Sequence, residues 1–279
     1  MRKNVVFSSQ STNIGYSFKS STSRPMTLDN NHCHSHFEIL YIVRGEGRYV
    51  VEGISYPIAP GSLMLIRPLE YHFVEIKSIS ESSPYERCVI RFSLESLTDE
   101  VREPLREFLE NDGTSGKYYT PPDLSPAVIS LIDRFNYASE LPESQRGVYA
   151  KLLSSELILF LAACGGQKMK YNEAELGARV IKYLNDNLAK SISLDELSRR
   201  FCVSKYYLCR EFKRHNGISV HGYINMKRIM YAKELIESGE TASRAAYKVG
   251  FRDYSAFYRA YVKIIGTSPM DIKAKKALG

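Results

Sequence analysis

Apolar positions recur along this chain with two different periods. Between residues 37 and 76 they fall in short runs, 37–43, 48–52, 62–66 and 72–76. Gly45-Glu46-Gly47, Gly53, Pro60-Gly61 and Arg67-Pro68 break them. Closely spaced runs with that punctuation predict the strands of a small β-sandwich or barrel. Beyond about residue 98 the period lengthens. Residues 126–138 and 145–163 read as helices, the second rich in Leu152, Leu153, Leu157, Leu159, Phe160 and Leu161. Residues 165–171 read as a linker.

The last third repeats itself at an offset of 49 residues. Leu208 corresponds to Phe257, Arg210 to Arg259, Phe212 to Tyr261, Arg214 to Lys263, Gly217 to Gly266 and Ser219 to Ser268. One offset shared by apolar, basic, glycine and serine positions implies two copies of one supersecondary unit. In the first copy Ser193 and Glu196 form a capping-box start, and Leu194, Leu197 and Phe201 keep one apolar face. The segment 202–204 breaks the helix, Ser204 caps the next, Leu208 and Phe212 face inward, and Gly217 ends it. Lys205, Tyr206, Cys209, Arg210 and Lys213 then point outward. The second copy starts near Thr241, turns at Gly250-Phe251-Arg252, restarts at Asp253 and ends at Gly266. Its outward positions are Tyr254, Ser255, Ala256, Arg259 and Lys263. A long amphipathic helix over 220–238, ended by Gly239, joins the copies.

Charge sharpens this picture. Residues 1–170 hold 18 Lys and Arg against 20 Asp and Glu, whereas 171–279 hold 20 against 11. A compact basic segment behind a near-neutral one suggests a polyanion reader attached to something else. A short helix held across another can enter a DNA major groove, where the Arg fork matches guanine. Arg210 and Arg259 occupy the same outward place in the two copies. Two such helices would meet successive grooves about 34 Å apart, and a connecting helix of about 19 residues, about 28 Å long, has the right scale. Lys205, Lys213, Arg252 and Lys263 are expected at phosphates or on plain surface.

Other classes lose ground. The longest apolar run has eight residues, 157–164, far short of a membrane span, so no membrane partner is expected. Residues 1–13 lack the pattern of a secretory signal. The 5 cysteines include no Cys-x-x-Cys pair, which suits reduced thiols in a cytoplasm. No phosphate-binding glycine loop and no Gly-x-Ser-x-Gly elbow occurs.

The stretch from Ile192-Ser193-Leu194-Asp195-Glu196-Leu197 to Ser219, Arg228 with Ala232, and Val249 to Phe257 with Gly266-Thr267-Ser268-Pro269 resemble the DNA-binding domain of AraC/XylS-type transcription regulators. The resemblance covers about residues 174–276 and places base reading at Tyr206, Cys209, Arg210, Tyr254, Ser255, Ala256 and Arg259. The chain departs from the family at Cys209 and Ala256, which hydrogen-bond poorly. It departs also at Ala242 and Ala245, where larger aliphatics are usual, and at Val262, which replaces a Lys. The smaller alanines predict a less well packed second unit.

His34, His36, Glu38, Arg44 and the Gly45-Glu46-Gly47 turn, with Pro60-Gly61 and His72, resemble the cupin-like ligand-binding domain often found ahead of this DNA-binding domain, over about residues 15–95. The resemblance implies an α+β protein of two domains. A cupin-like barrel and its helices (about 100–164) would occupy 1–165, a linker 166–172, and an all-α double helix-turn-helix 173–279. It implies effector binding at His34, His36, Glu38, Arg44 and His72, with a sugar as one candidate effector. It also implies promoter DNA and RNA polymerase as partners, an activator role, and a homodimer formed through helices in 126–163. For the apolar helix, internal core is an equal alternative.

The histidines support a second idea. His32, His34, His36 and Glu38 share strand parity and, with His72, could bind a divalent metal. The metal-binding cupin pattern wants three or four residues between the second His and its Glu, which falls where Leu40 and Tyr41 stand. With His34 and His36 as the pair, no metal and no other cofactor is expected, and His34, His36 and His72 remain the metal candidates. Tyr41 and Tyr71 are candidates to stack on a ligand. Two rival functions stay open: a cupin metalloenzyme with a DNA-binding appendage, and a DNA binder that needs no effector.

Overall fold

Alternating burial builds two antiparallel sheets. A computed structural model describes residues 6–9, 12–22, 32–110, 117–120, 124, 126–166 and 175–271. In the larger sheet β1 (Val6–Ser9), β2 (Ile14–Ser21), β8 (Tyr85–Phe92), β3 (Phe37–Arg44), β6 (Leu63–Ile66) and β9 (Tyr118–Tyr119) lie side by side in that order. In the smaller, β4 (Gly47–Val51) runs between β5 (Ile54–Ile58) and β7 (His72–Ile76).

Strand parity sorts the side chains into layers. On β3, Phe37 and Ile39 join one core, while Leu40 and Ile42 join another with Tyr49, Val51 and Tyr56 from the smaller sheet. This second core lies between the sheets. The first lies beneath two helices, α3 (Pro126–Ala138) and α4 (Glu143–Cys164), which supply Val128, Leu131, Phe135, Leu153, Leu157 and Leu161. Two short helices, α1 (Asp99–Arg102) and α2 (Arg106–Glu110), precede them.

Helix α4 is long and apolar enough to cross a membrane, with a mean hydropathy of 1.5 in its best window, a property the eight-residue run did not reveal. Its Leu153, Leu157 and Leu161 lie in the core under the sheet, whereas Val148, Leu152 and Leu159 remain exposed. The helix therefore has both a core face and an uncovered apolar face.

The remaining helices are α5 (Leu176–Asp186), α6 (Leu194–Arg200), α7 (Lys205–Asn216), α8 (Val220–Glu237), α9 (Ala242–Lys248) and α10 (Tyr254–Ile265). The outer face of the smaller sheet, Val50 and Phe73, shares one core with Val180 and Leu184 of α5, Leu208 and Phe212 of α7, and Tyr223 of α8. A separate core holds α9 and α10 against the far half of α8. The protein is thus an α+β molecule whose sheet-rich half carries a helical half on its smaller sheet.

The strands expected at 37–43, 48–52, 62–66 and 72–76 are present. Strands β1, β2, β5, β8 and β9 lie outside those expectations, and β1 and β9 extend the larger sheet beyond the span 15–95. Of the expected linker, residues 167–172 lie outside the described residues.

Candidate functional site

The two repeats fold as matched pairs. In each, a seven-residue helix precedes a twelve-residue one, α6 then α7 and α9 then α10. Side-chain caps start all four. The oxygens of Ser193, Ser204 and Thr241 each accept one backbone N–H, and the Asp253 carboxylate accepts two, from Ser255 and Ala256. Gly217 and Gly266 end the longer helices in the left-handed region. The second turn is one residue longer, with five residues between α9 and α10 against four between α6 and α7.

On α7, Lys205, Tyr206, Arg210 and Lys213 are exposed, Tyr206 to 75%, and Cys209 is half-buried. On α10, Tyr254, Ser255, Arg259 and Lys263 are exposed and Ala256 is half-buried. The Arg210 guanidinium contacts Glu211 at 3.2 Å and lies over the rings of Tyr206 and Tyr207. Lys205 pairs with Asp195 at 2.7 Å. These are surface pairs, which a phosphate or a base edge can displace at small cost.

Arg228 ties the two units together. Its Nε donates to Leu188 O (2.9 Å) and Nη2 to Lys190 O (2.6 Å) beyond α5, while Nη1 donates to Gly250 O (3.0 Å) in the second turn. Gly250 has φ +94, and a Cβ there would stand 2.5 Å from Ala189 O. Glycine lets this turn close against the first unit.

A second joint links the halves. The β4–β5 hairpin turns on Glu52 and Gly53, both with positive φ, the geometry of a two-residue hairpin loop. Its tip reaches into the helical half. Glu52 Oε1 accepts from Lys227 Nζ (2.7 Å) and Tyr71 N (2.6 Å), and Oε2 accepts from Asn185 Nδ2 (2.6 Å) and lies 2.6 Å from the Tyr223 hydroxyl. His215 Nε2 lies 2.7 Å from Gly53 O, and the Tyr71 hydroxyl donates to Asn216 O (2.7 Å). Burial alone would raise the Glu52 carboxyl. The Lys227 charge and the hydrogen bonds outweigh it and hold the carboxyl below its usual range. Burial works against the Lys227 ammonium, but Glu52 wins and raises it. Tyr71, a candidate to stack on a ligand, is part of this joint.

Between the sheets lies a cavity of about 220 Å³, lined in part by Lys19, His32, Glu38, Tyr49, Arg87 and Arg91. Parity explains the set: Arg87, Val89 and Arg91 share the inner face of β8, as Glu38 and Leu40 share that of β3. Arg91 Nε donates to Glu38 Oε2 at 2.9 Å. Burial pushes the imidazoles of His34 and His72 down to about 3, with charge on neighbouring imidazoles acting in the same direction. It pushes His36 down to about 4. All three are neutral near pH 7.

Of the residues expected to share one face, His32, His34 and Glu38 come together and His36 does not. Strand β3 begins only at Phe37, so His32, His34 and His36 sit on a non-strand segment. His36 stacks on the ring of His34 at 3.8 Å, whereas His32, His34, Glu38 and His72 bring their ligand atoms within 4.8 Å of one another. Arg44 lies outside the cavity lining. A register shift between Ile42 and Arg44 re-aims the strand end, and Arg44 is exposed beside Glu86 at 4.0 Å. Glu52, Lys227, Arg87 and Lys19 had no place in the sequence expectations. Charged residues at inward strand positions were the signal for Lys19 and Arg87. A larger cleft of about 960 Å³ runs between the halves, with Glu52, Arg67, Lys227 and Glu234 among its walls.

A ligand-binding sheet domain joined to twin turn-helix units defines a DNA-binding transcription regulator with an effector domain. The profile of the AraC-like ligand binding domain matches residues 24–161, and that of a helix-turn-helix domain matches 197–275. The chain belongs to the AraC family of transcription regulators, proteins that are not enzymes. It is 24% identical to the HTH-type transcriptional activator RhaS of Escherichia coli over 248 residues, covering 87% of this chain and 86% of that one. ToxT from Vibrio cholerae is a similar solved structure, 15% identical over 92% of this chain and 96% of its own, with a TM-score of 0.38. The C-terminal domain of AraT from Geobacillus stearothermophilus is 24% identical over 38% of this chain and 88% of its own, with a TM-score of 0.36.

Proposed function

We propose that this protein is a cytoplasmic, effector-responsive transcription activator that reads promoter DNA with α7 and α10. The observation that carries this reading is the pair Arg210 and Arg259, exposed at equivalent positions of two helices that Arg228 and α8 hold in one body. Tyr206, Cys209, Tyr254, Ser255 and Ala256 complete the base-reading set, with Lys205, Lys213 and Lys263 at phosphates. The domain boundaries at 165 and 173 separate reader from sensor.

The effector is small and polar, and it enters the inter-sheet cavity beside Glu38. The cations Lys19, Arg87 and Arg91 on its wall favour a molecule with an acidic group, such as a sugar acid, over a neutral sugar. His34, His36 and His72 stand behind that wall. The exposed Val148, Leu152 and Leu159 of α4 give a homodimer its contact face, so that two chains grip two half-sites and recruit RNA polymerase. Binding to a site selected from random duplexes tests the reading. Arg210→Ala and Arg259→Ala should each weaken the selected site by about 1–3 kcal/mol, roughly 5- to 150-fold, with little change on random DNA. Equal losses on both DNAs would remove the arginines from base reading.

A further inference from the structure

We propose that His32, His34, Glu38 and His72 bind one divalent transition-metal ion in the wall of the inter-sheet cavity, leaving a position open to an anionic oxygen ligand. The proposal rests on the reading of that cavity as the effector site.

Hydrogen bonding fixes which ring nitrogens are available. His34 Nδ1 lies 2.9 Å from His36 O, and His72 Nδ1 lies 2.8 Å from Glu70 O. A carbonyl only accepts, so each Nδ1 carries the proton and each Nε2 of the neutral ring presents a lone pair. A backbone carbonyl behind the ring is the usual support of a metal-bound histidine. Together with His32 and Glu38, the two rings bring their ligand atoms within 4.8 Å of one another. His34 Nε2 is buried without a hydrogen-bond partner, 3.7 Å from Glu38 Oε2. His72 Nε2 faces His32 Nε2 at 3.1 Å.

Four donors on a single ion at about 2.0–2.2 Å stand roughly 3 Å or more apart. The observed spread, up to 4.8 Å, needs only a small contraction onto an ion. Three imidazoles with one carboxylate suit iron, manganese, cobalt or zinc over magnesium or calcium. His32 and Glu38 also line the cavity, so the ion faces it, and Lys19, Arg87 and Arg91 surround the same space.

The residues between the ligands turn the other way. Cys33, Leu69 and Tyr71 lie in the core shared with the DNA-binding half, and Ser35 Oγ accepts from Lys233 Nζ of α8 at 3.3 Å. The segments that would hold the ion on one side therefore hold the reader on the other.

The test uses the full chain, stripped with a chelator and titrated with Co²⁺, followed by visible absorption and melting temperature. One equivalent should bind with a tetrahedral or five-coordinate spectrum and raise the melting temperature. His32→Ala should weaken uptake about tenfold or more, and His36→Ala should leave it unchanged. His32 is the most exposed of the four, so its replacement disturbs the core least. If that variant does not fold, stripping and reloading the wild type decides. Absence of stoichiometric cobalt uptake, or His32→Ala binding like the wild type, would overturn the site and leave hydrogen-bonded histidines only. DNA binding of the same samples separates the two readings. A chain that binds its selected site but no cobalt loses the ion and keeps its role as a regulator. One that binds cobalt but shows no Arg210-dependent DNA binding keeps the ion and loses that role.

Discussion

The two helix-turn-helix units match in helix length and in their exposed arginine, and they differ in what lies behind them. Behind the first, Phe212 and Leu208 share a core with Val50, Tyr71 and Phe73 of the barrel. Behind the second, Phe257 and Tyr261 meet only α8, α9 and their own unit. A change in the barrel therefore reaches α7 through direct packing. It reaches α10 less directly, through α8, the Arg228 bonds and Ile265 at the end of α10, which packs against the edge of that first core. Sequence duplication made two matching units, and burial ties only the first of them to the sheets.

The strongest way to break this comparison is to empty each core. Phe212→Ala and Phe257→Ala should each cost about 3–5 kcal/mol, since both rings are fully buried. The reach of the damage should differ. Amide exchange in Phe212→Ala should quicken in α5, α7 and the β4–β5 hairpin, whereas in Phe257→Ala it should quicken in α9 and α10 alone. Equal loosening of the barrel by both variants would end the asymmetry.

The joint comes next. Lys227 is buried, and Glu52 is its charge partner across the halves. Glu52→Gln should cost about 3 kcal/mol, because it leaves an ammonium buried without compensation. The pH dependence has a definite sign. Glu52 is held below its usual range, so its contribution is present above ordinary carboxylate values and fades as pH falls through the depressed one. Denaturant midpoints of the wild type should therefore drop in acid more than those of Glu52→Gln. Parallel curves would show that Glu52 does not link the halves.

How much of this was legible beforehand depends on what each residue answers to. The second unit was readable almost completely, because its helices are set by local caps and a 3.6-residue period that bury against their own neighbours. Of its two smaller alanines, Ala245 is buried with Ala232 and Phe257 in one core, while Ala242 is only partly buried against it. The joint was hidden. Glu52 ends a strand-like run before a glycine and looks like turn surface. Only its partners at 185, 223 and 227, more than 130 residues away, make it structural. Strands β2 and β8 escaped for a related reason. Lys19, Arg87 and Arg91 interrupt their apolar pattern because those positions face a polar cavity instead of an oily core. Parity placed His32, His34, His36 and Glu38 on one face, but the segment before β3 is not a strand, so His36 turns onto the His34 ring while the other three stay with His72.

The finest difference between the units lies in the caps of their outward helices. Ser204 accepts one N–H, from Tyr207 at 3.2 Å, while Asp253 accepts two, at 3.1 and 2.9 Å, and adds a negative charge at the positive end of α10. Ser204→Ala should cost about 1 kcal/mol and Asp253→Ala somewhat more, about 1–2 kcal/mol. Without a barrel behind it, α10 depends more on its own cap, so the Asp253→Ala loss should appear as local fraying in amide exchange. The Ser204→Ala loss should appear mainly as a lower global midpoint, because the shared core keeps α7 in place until the whole first unit opens. Local fraying in Ser204→Ala alone would mean that the barrel does not steady the first unit.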